Sequence, residues 1–238
     1  MIAFALAVVG VAAILAAEIV GRRLAPGYTV GRTLAAAPQV SIEQALALAA
    51  RDKLHYVRVH GRVSSDEEFP DEHDRPLVYR RKRIETRDGA GRWRTAQAET
   101  EGVPFGVESR SSYIYVDSAK LTYGLVVTPR HSEGVAADLP TDMAGSLPPR
   151  TPARLVVEQV SAVEHAFVCG VPRRDEAGQP MLSAGLQRPL ILTTLELPAA
   201  MRLLGGARGA FVVVASVLLL IGVVALILAV AALMFRLH

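Results

Sequence analysis

The chain has 238 residues, a hydrophobic fraction of 51% and a formal net charge of +3 at pH 7. This length suits one or two domains, and the near balance of charge excludes a protein that works mainly through a large positive field. One cysteine, Cys169, excludes an intrachain disulfide and a zinc site built from several cysteines, and it agrees with a reducing compartment.

The first predicted element is a membrane anchor at 1–21. Residues 1–20, MIAFALAVVGVAAILAAEIV, carry one charge, at Glu18, and a bilayer core of about 30 Å needs about 20 apolar helical residues. A signal peptide begins with basic side chains, whereas here Arg22 and Arg23 follow the apolar run. We therefore expect an uncleaved transmembrane helix.

A linker and a short helix are predicted next. Two glycines and two prolines favour a linker at 22–40 over a helix. Ser41, with Gln44 three residues later, forms a capping-box pattern, and the alanines and leucines that follow are good helix formers. We therefore expect a short helix at about 42–51.

A mainly β domain is predicted for 41–205. The run LHYVRVHGRV, which begins at residue 54, alternates polar and apolar side chains, as a half-buried strand does. Residues 131–151, rich in Gly, Pro, Asp and Ser, are interpreted as a long loop. Further strands are predicted at 103–107, 112–117, 153–160, 166–171 and 188–197. Many short strands without βαβ alternation predict a small antiparallel OB-like barrel or sandwich, inserted between two transmembrane helices.

The stretch 77–95, LVYRRKRIETRDGAGRWRT, holds seven arginine or lysine residues. An Asp-Gly pair between two strand-like runs predicts a hairpin that turns at 87–91. The cations fall on both faces, which favours an exposed edge hairpin. Contact with anionic lipid and binding of nucleic acid are the alternatives, the second disfavoured by the scarce aromatic residues. The candidate lipid or partner contacts are Arg80, Arg81, Lys82, Arg83, Arg92 and Arg94.

Catalytic and metal-binding motifs are not found in the sequence. It contains no phosphate-binding loop, nucleophile elbow or His-Glu-x-x-His pattern. The acidic run at 64–74 lacks the spacing of a calcium loop, so a solvated loop is preferred. A lone cysteine in an apolar strand is more often a core residue than a nucleophile. We therefore expect no catalytic residue, metal or cofactor.

A second transmembrane helix is predicted at 209–235, a run without any charge. Basic residues flank the two apolar segments on the domain side, and only Arg236 lies on the far side. By the positive-inside rule, the domain is expected in the cytoplasm, with both termini across the membrane. The flanking residues are Arg22, Arg23, Arg202 and Arg208.

The series PLVYRRKRIE, GRWRTAQAET, VPFGVES, YIYVD, FVCGVP and PLILTT, in this order, resembles the GIDE domain, also called the BAM (beside-a-membrane) domain. The resemblance covers roughly residues 40–205 and the two apolar helices. It implies an anchor, a domain of mostly strands beside the membrane, and a second anchor. In mitochondrial relatives this domain faces the intermembrane space, which makes the periplasm the alternative to the cytoplasm.

The same resemblance implies a link to RING-type E3 ubiquitin ligases. A RING needs two zinc sites built from cysteine and histidine, whereas this chain has one cysteine and ends at His238. We therefore expect a membrane-anchored, non-catalytic module for protein or lipid interaction. The alternatives are a ligase component that receives a RING from a partner and a nucleic-acid-binding barrel. The high content of Ala and Arg suggests a bacterial source, and thus a bacterial cell membrane.

Overall fold

The computed structural model describes residues 2–51, 54–110, 112–139, 145, 147–205 and 209–237. Within these ranges, the structure does not describe the side chains of residues 2, 3, 5, 21–26, 28, 209–212, 233 and 235–237. The chain divides into two compact units, a helical unit of Met1–Arg32 with Met201–His238 and a β unit of Thr33–Ala200.

The helices are α1 (Ile2–Ala36), α2 (Ile42–Ala49), α3 (Leu197–Gly205) and α4 (Gly209–Leu237). In the helical unit, α1 and α4 cross where each has a glycine. A Cβ built on Gly10 would lie 2.8 Å from Leu226 Cγ and 3.0 Å from the Gly222 carbonyl oxygen. Small residues at a helix crossing let the two backbones approach closely, so this pair of glycines determines how α1 packs on α4.

One of the two predicted membrane spans meets the requirements of a bilayer crossing. Within α4, Val213–Ala232 has 20 residues and is long and apolar enough to cross. The apolar part of α1 within the described residues is Leu6–Val20. The described residues therefore contain one candidate span rather than the two that were predicted, and the first span and the hairpin topology stay predictions.

Helix α1 also continues through most of the segment predicted as a linker at 22–40, because it ends only at Ala36. A proline inside a helix removes one backbone donor, but burial on the C-terminal side outweighs that loss. Val30 and Leu34, one turn apart, are 1% and 0% exposed. The Arg58 guanidinium donates a hydrogen bond of 2.9 Å to the Leu34 carbonyl, one of the last-turn acceptors.

The predicted short helix is confirmed as α2. The Ser41 hydroxyl accepts a hydrogen bond from the Gln44 N–H at 3.2 Å, and the Gln44 side chain accepts one from the Ser41 N–H at 3.0 Å. These reciprocal bonds satisfy two donors at the helix start.

The strands are β1 (Val57–Ser64), β2 (Phe69–Pro70), β3 (Pro76–Arg87), β4 (Trp93–Gly102), β5 (Gly106–Ser109), β6 (Ser112–Val116), β7 (Arg130–Val135), β8 (Pro152–Ser161), β9 (His165–Arg174), β10 (Pro180–Ser183) and β11 (Ile191–Thr193). They form a mainly β domain, as predicted. Five of them close a barrel in the order β1-β5-β6-β10-β9, because β9 pairs back to β1. The β6–β10 pair is parallel and the other barrel pairs are antiparallel.

The hydrophobic core occupies the interior of the barrel, and every barrel strand contributes side chains to it. Alternate residues of β1 are buried, as the period-two pattern predicts. Fully buried side chains that meet in this cluster include Val59, Phe105, Ile114, Val168 and Leu192. Strand β11 pairs with β9 antiparallel, next to β10, and covers the core there.

The second sheet has the order β2-β3-β8-β7, with β4 also paired to β3, and it forms a half-barrel. Two predictions hold only in part here. The prediction of a loop at 131–151 is wrong at its start, which belongs to strand β7, and the predicted strand at 188–197 is confirmed as the shorter β11, followed by α3. Strand β7 is exposed throughout, so it carries no apolar alternation, and its pairing with β8 alone makes it a strand.

Candidate functional site

The predicted hairpin is confirmed as β3 and β4, with Arg87 opposite Trp93. Strand β3, however, is not an edge strand, because it pairs with β4 on one side and β8 on the other. The six candidate contact residues separate into three groups. Arg80 and Lys82 share one face of β3, Arg81 and Arg83 share the other, and Arg92 and Arg94 lie at the turn and the start of β4.

The face of Arg81 and Arg83 is an ion-pair ladder with β8. Arg81 lies directly opposite Glu158, and its Nε is 2.8 Å from a carboxylate oxygen of Glu158. Arg83 Nη1 is 3.4 Å from the same carboxylate, while Glu85 pairs with Arg154 at 2.6 Å. The Glu158 side chain is only 9% exposed. A central strand tolerates cations here because the neighbouring strand supplies their counter-charges, so these two arginines hold the sheet together.

The turn arginines are also neutralised within the hairpin. Asp88 accepts hydrogen bonds from Arg94 Nε at 2.9 Å and from Arg92 Nε at 3.2 Å. The bond from Arg94 and the backbone N–H of Arg92 hold the pKa of Asp88 well below its usual range. Arg87 and Arg154 lie over the neighbouring Trp93 ring, 4.8 and 4.6 Å from its centroid. These contacts give the turn cations local partners.

The remaining face of β3 borders a cavity of about 420 Å³, here called the β3–β8–β7 cavity. Arg80 forms an ion pair with Glu101 and lies 5.2 Å from the centroid of the Phe69 ring, but its buried Nε has no hydrogen-bond partner among the described residues. Lys82 has no ion-pair partner within the described part of the chain. The lining residues are Asp71, Glu72, His73, Arg80, Lys82, Arg130, His131, Ser132, Leu155, Val157 and Gln159.

Arg130 is the site residue that sequence reasoning missed. Val157 of β8 lies opposite Lys82 on one side and opposite Arg130 on the other, so the three residues form one row across three strands. Directly opposite residues point to the same face of a sheet. Neighbouring strands are about 4.8 Å apart, so the two cations flank one apolar side chain. Arg130, like Lys82, forms no ion pair with any described residue.

Asp71 organises a tight turn at the rim of the cavity. Its carboxylate accepts the backbone N–H of His73 at 2.7 Å and of Arg75 at 3.0 Å, and it pairs with the Arg75 guanidinium at 2.7 Å. These bonds, led by the backbone N–H of Arg75, hold the pKa of Asp71 well below its usual range. The acidic loop therefore contains a tight turn organised by Asp71, rather than a set of solvated carboxylates alone.

Asp71→Asn is expected to destabilise the β unit at pH 7 and to lose part of that effect at pH 3. The depressed pKa means that the ionised Asp71 stabilises the fold above the ordinary carboxyl pKa of about 4, and that this contribution fades as the pH falls toward the folded value. The unfolding midpoint of the full chain in detergent, followed by the fluorescence of Trp93, measures the difference at pH 7 and pH 3. Glu68→Gln, at an exposed position of the same loop, is the control. A difference that grew at pH 3 would contradict the assignment.

The other candidates fall outside this cavity. Cys169 is fully buried, and burial raises the pKa of its thiol to about 12, which confirms a core residue. The membrane-flank residue Arg202 is an exposed residue of α3. The side chains of Arg22 and Arg23 and the whole of Arg208 lie outside the described residues.

A pair of histidines meets on the barrel. His60 and His165 stack with ring centroids 5.6 Å apart, and the Phe167 ring lies 4.4 Å from His60. Burial and then the neighbouring His165 lower the pKa of His60. The sequence placed these histidines far apart, and only the β1–β9 pairing joins them. Among the residues that the structure describes, no three His, Cys, Asp or Glu side chains form a group that could hold a metal.

No protein-family model, curated protein or solved structure matches this chain. The likeness to the GIDE/BAM domain therefore stays a prediction. A function can be inferred from three features: the cavity, its two cations without an ion-pair partner among the described residues, and the apolar helix α4.

Proposed function

We propose that the chain is a membrane-anchored, non-catalytic module of the GIDE/BAM type, which binds a partner beside the bilayer through the β3–β8–β7 cavity. The observation that carries this proposal is the selective pairing of the cations. Arg81, Arg83, Arg92 and Arg94 have carboxylate partners within the β unit. Lys82 and Arg130, which line the cavity, have none among the described residues. Cations left unpaired at a concave surface favour an anionic partner.

The strand order supports an OB-like barrel as the scaffold. A five-stranded Greek-key barrel is the arrangement of OB folds, which often bind nucleic acid. Binding of single strands relies on aromatic side chains that stack on the bases, and the described residues that line the cavity include no Phe, Tyr or Trp. A protein or lipid partner is therefore preferred to nucleic acid.

Helix α4 supplies the tether in this proposal, with the β unit on the cytoplasmic side of a bacterial cell membrane and the periplasm as the alternative. An epitope tag inserted in the exposed turn after Asp175, probed in spheroplasts, whose periplasmic side is open, and in lysed cells, tests the side. A tag that reacts only after lysis supports the cytoplasm, and one that reacts in spheroplasts supports the periplasm.

Position-specific crosslinking tests the function itself. A photoreactive residue at Ser132, in the cavity, is expected to form a discrete adduct with a protein or a lipid in membranes that contain the full chain. The same residue at Gln97, on the exposed edge strand β4, is the control. Mass spectrometry separates a protein adduct from a lipid adduct. Equal adduct yields at the two positions, or a chain recovered without membranes, would overturn the proposal.

A further inference from the structure

We propose that the β3–β8–β7 cavity is a site for a phosphate group, carried by a lipid headgroup or by a soluble phosphorylated compound. This inference rests on the proposed function and names the ligand chemistry of the same site. It is carried by the row Lys82–Val157–Arg130, by the unsatisfied Nε of Arg80 and by the volume of the cavity.

The row sets the distance between the two cations. Across three strands, the Cα atoms of Lys82 and Arg130 are about 10 Å apart, with Val157 between them. Lysine and arginine side chains are long enough to converge over a branched apolar residue. An anion placed above Val157 would receive a point charge from Lys82 and a planar fork of donors from Arg130, the two kinds of group that bind phosphate in proteins.

Further donors border this row on the same face. Arg80 lies opposite Gln159, two residues along β3 and β8 from the row. The buried Nε of Arg80 has no hydrogen-bond partner among the described residues, a status that Arg58 Nε and Arg83 Nε share outside the cavity. A buried donor left unsatisfied is costly unless a ligand or water accepts its hydrogen bond. Ser132, two residues from Arg130 on β7, adds a hydroxyl to the lining.

The charge balance favours an anion. Of the two carboxylates in the lining, Asp71 is committed to Arg75, which leaves Glu72 at the rim. Arg80 is committed in part to Glu101, which leaves Lys82 and Arg130. Counted over the lining residues alone, Lys82 and Arg130 therefore outweigh Glu72 in a space of about 420 Å³. Glu99 of β4 lies opposite Lys82 but is not among these lining residues. That volume lies within the range of about 300–1,000 Å³ for small-ligand sites.

Phosphorus-31 NMR of the full chain tests the site with both sources of phosphate. In neutral detergent, inorganic phosphate is titrated; in nanodiscs of phosphatidylcholine, a small fraction of phosphatidic acid is added. We expect a saturable shift or broadening of at least one of these two signals. Loss of a hydrogen-bonded charge should weaken apparent binding about tenfold or more in Lys82→Gln and in Arg130→Gln. Arg94→Gln, which removes a cation paired with Asp88 outside the cavity, should leave binding unchanged.

The possible outcomes distinguish the two sources of phosphate, and they distinguish this inference from the proposed function. A response to inorganic phosphate alone identifies a soluble ligand, and a response of phosphatidic acid alone identifies a headgroup; either supports the site if Lys82→Gln and Arg130→Gln lose it. No response from either source, an unchanged response in these two variants, or equal competition by acetate would overturn the inference. A protein adduct at Ser132 without any phosphate response would overturn this inference and leave the proposed function standing. Unchanged fluorescence of Trp93 shows that the variants are folded.

Discussion

Gly124→Ala is expected to disrupt the barrel severely, because the added methyl group meets backbone atoms. A Cβ on Gly124 would lie 1.9 Å from the Leu190 carbonyl oxygen and 2.9 Å from its carbonyl carbon. The opposing atoms belong to backbone, so no side chain can rotate away. The segment is also held by two backbone hydrogen bonds: Leu192 N–H donates to the Gly124 carbonyl at 3.0 Å, and Val126 N–H donates to the Leu192 carbonyl at 2.8 Å.

The cost should lie at or above the upper end of overpacking substitutions, about 3 kcal/mol, because Leu190 and Leu192 are fully buried and must shift together. The denaturant midpoint of the full chain in detergent, followed by the near-ultraviolet circular dichroism of the tyrosines, measures this loss. Gly89→Ala is the matched control, since no heavy atom of any described residue beyond its chain neighbours lies within 4 Å of the added Cβ. Equal midpoints for the two variants would show that the close approach at Gly124 does not exist.

Glu158→Gln is expected to be the second most damaging change, because it removes the charge shared by Arg81 and Arg83. The three side chains are 9%, 14% and 29% exposed, so water replaces the lost partner poorly. Removing one member of a buried ion pair costs about 3–5 kcal/mol, and partial exposure of Arg83 favours the lower value, about 3 kcal/mol. Trp93, the one tryptophan of the chain, lies in the same sheet and reports its unfolding.

Glu101→Gln makes the same chemical change in a more exposed pair. Its side chain is 51% exposed, and surface ion pairs contribute at most about 1 kcal/mol. The difference between the two midpoints therefore isolates the effect of burial. If Glu158→Gln unfolds at the same denaturant concentration as Glu101→Gln, the ladder contributes no more than a surface pair does.

Features that depend on neighbouring residues could be predicted from the sequence. The capping box needs only Ser41 and Gln44, and the β3–β4 hairpin needs only the turn that begins at Asp88. The alternation of β1 and the apolar composition of Val213–Ala232 are also contained within single segments. In each case, the interacting groups lie within a few residues of one another, so the local chain conformation brings them together.

Features that depend on distant partners were decided by the tertiary structure. Strand β3 is central because it pairs with β8 as well as with β4. Its cations are neutralised by Glu158 of β8, far along the chain, and nothing within 77–95 indicates that carboxylate. Strand β7 has an exposed polar sequence that by itself favours a loop, and its pairing with β8 makes it a strand.

The candidate site divides in the same way. Lys82 and Arg80 stand out in the sequence because seven cations occur together. The cavity, however, is completed by Arg130, which lies in the same row as Lys82 only because β8 pairs with both strands and places Val157 between them. The sequence by itself determined the local elements and the accumulation of charge. Only the pairing of remote strands decided which cations meet a carboxylate and which line the cavity, because a hydrogen-bonded sheet joins side chains that the linear chain keeps apart.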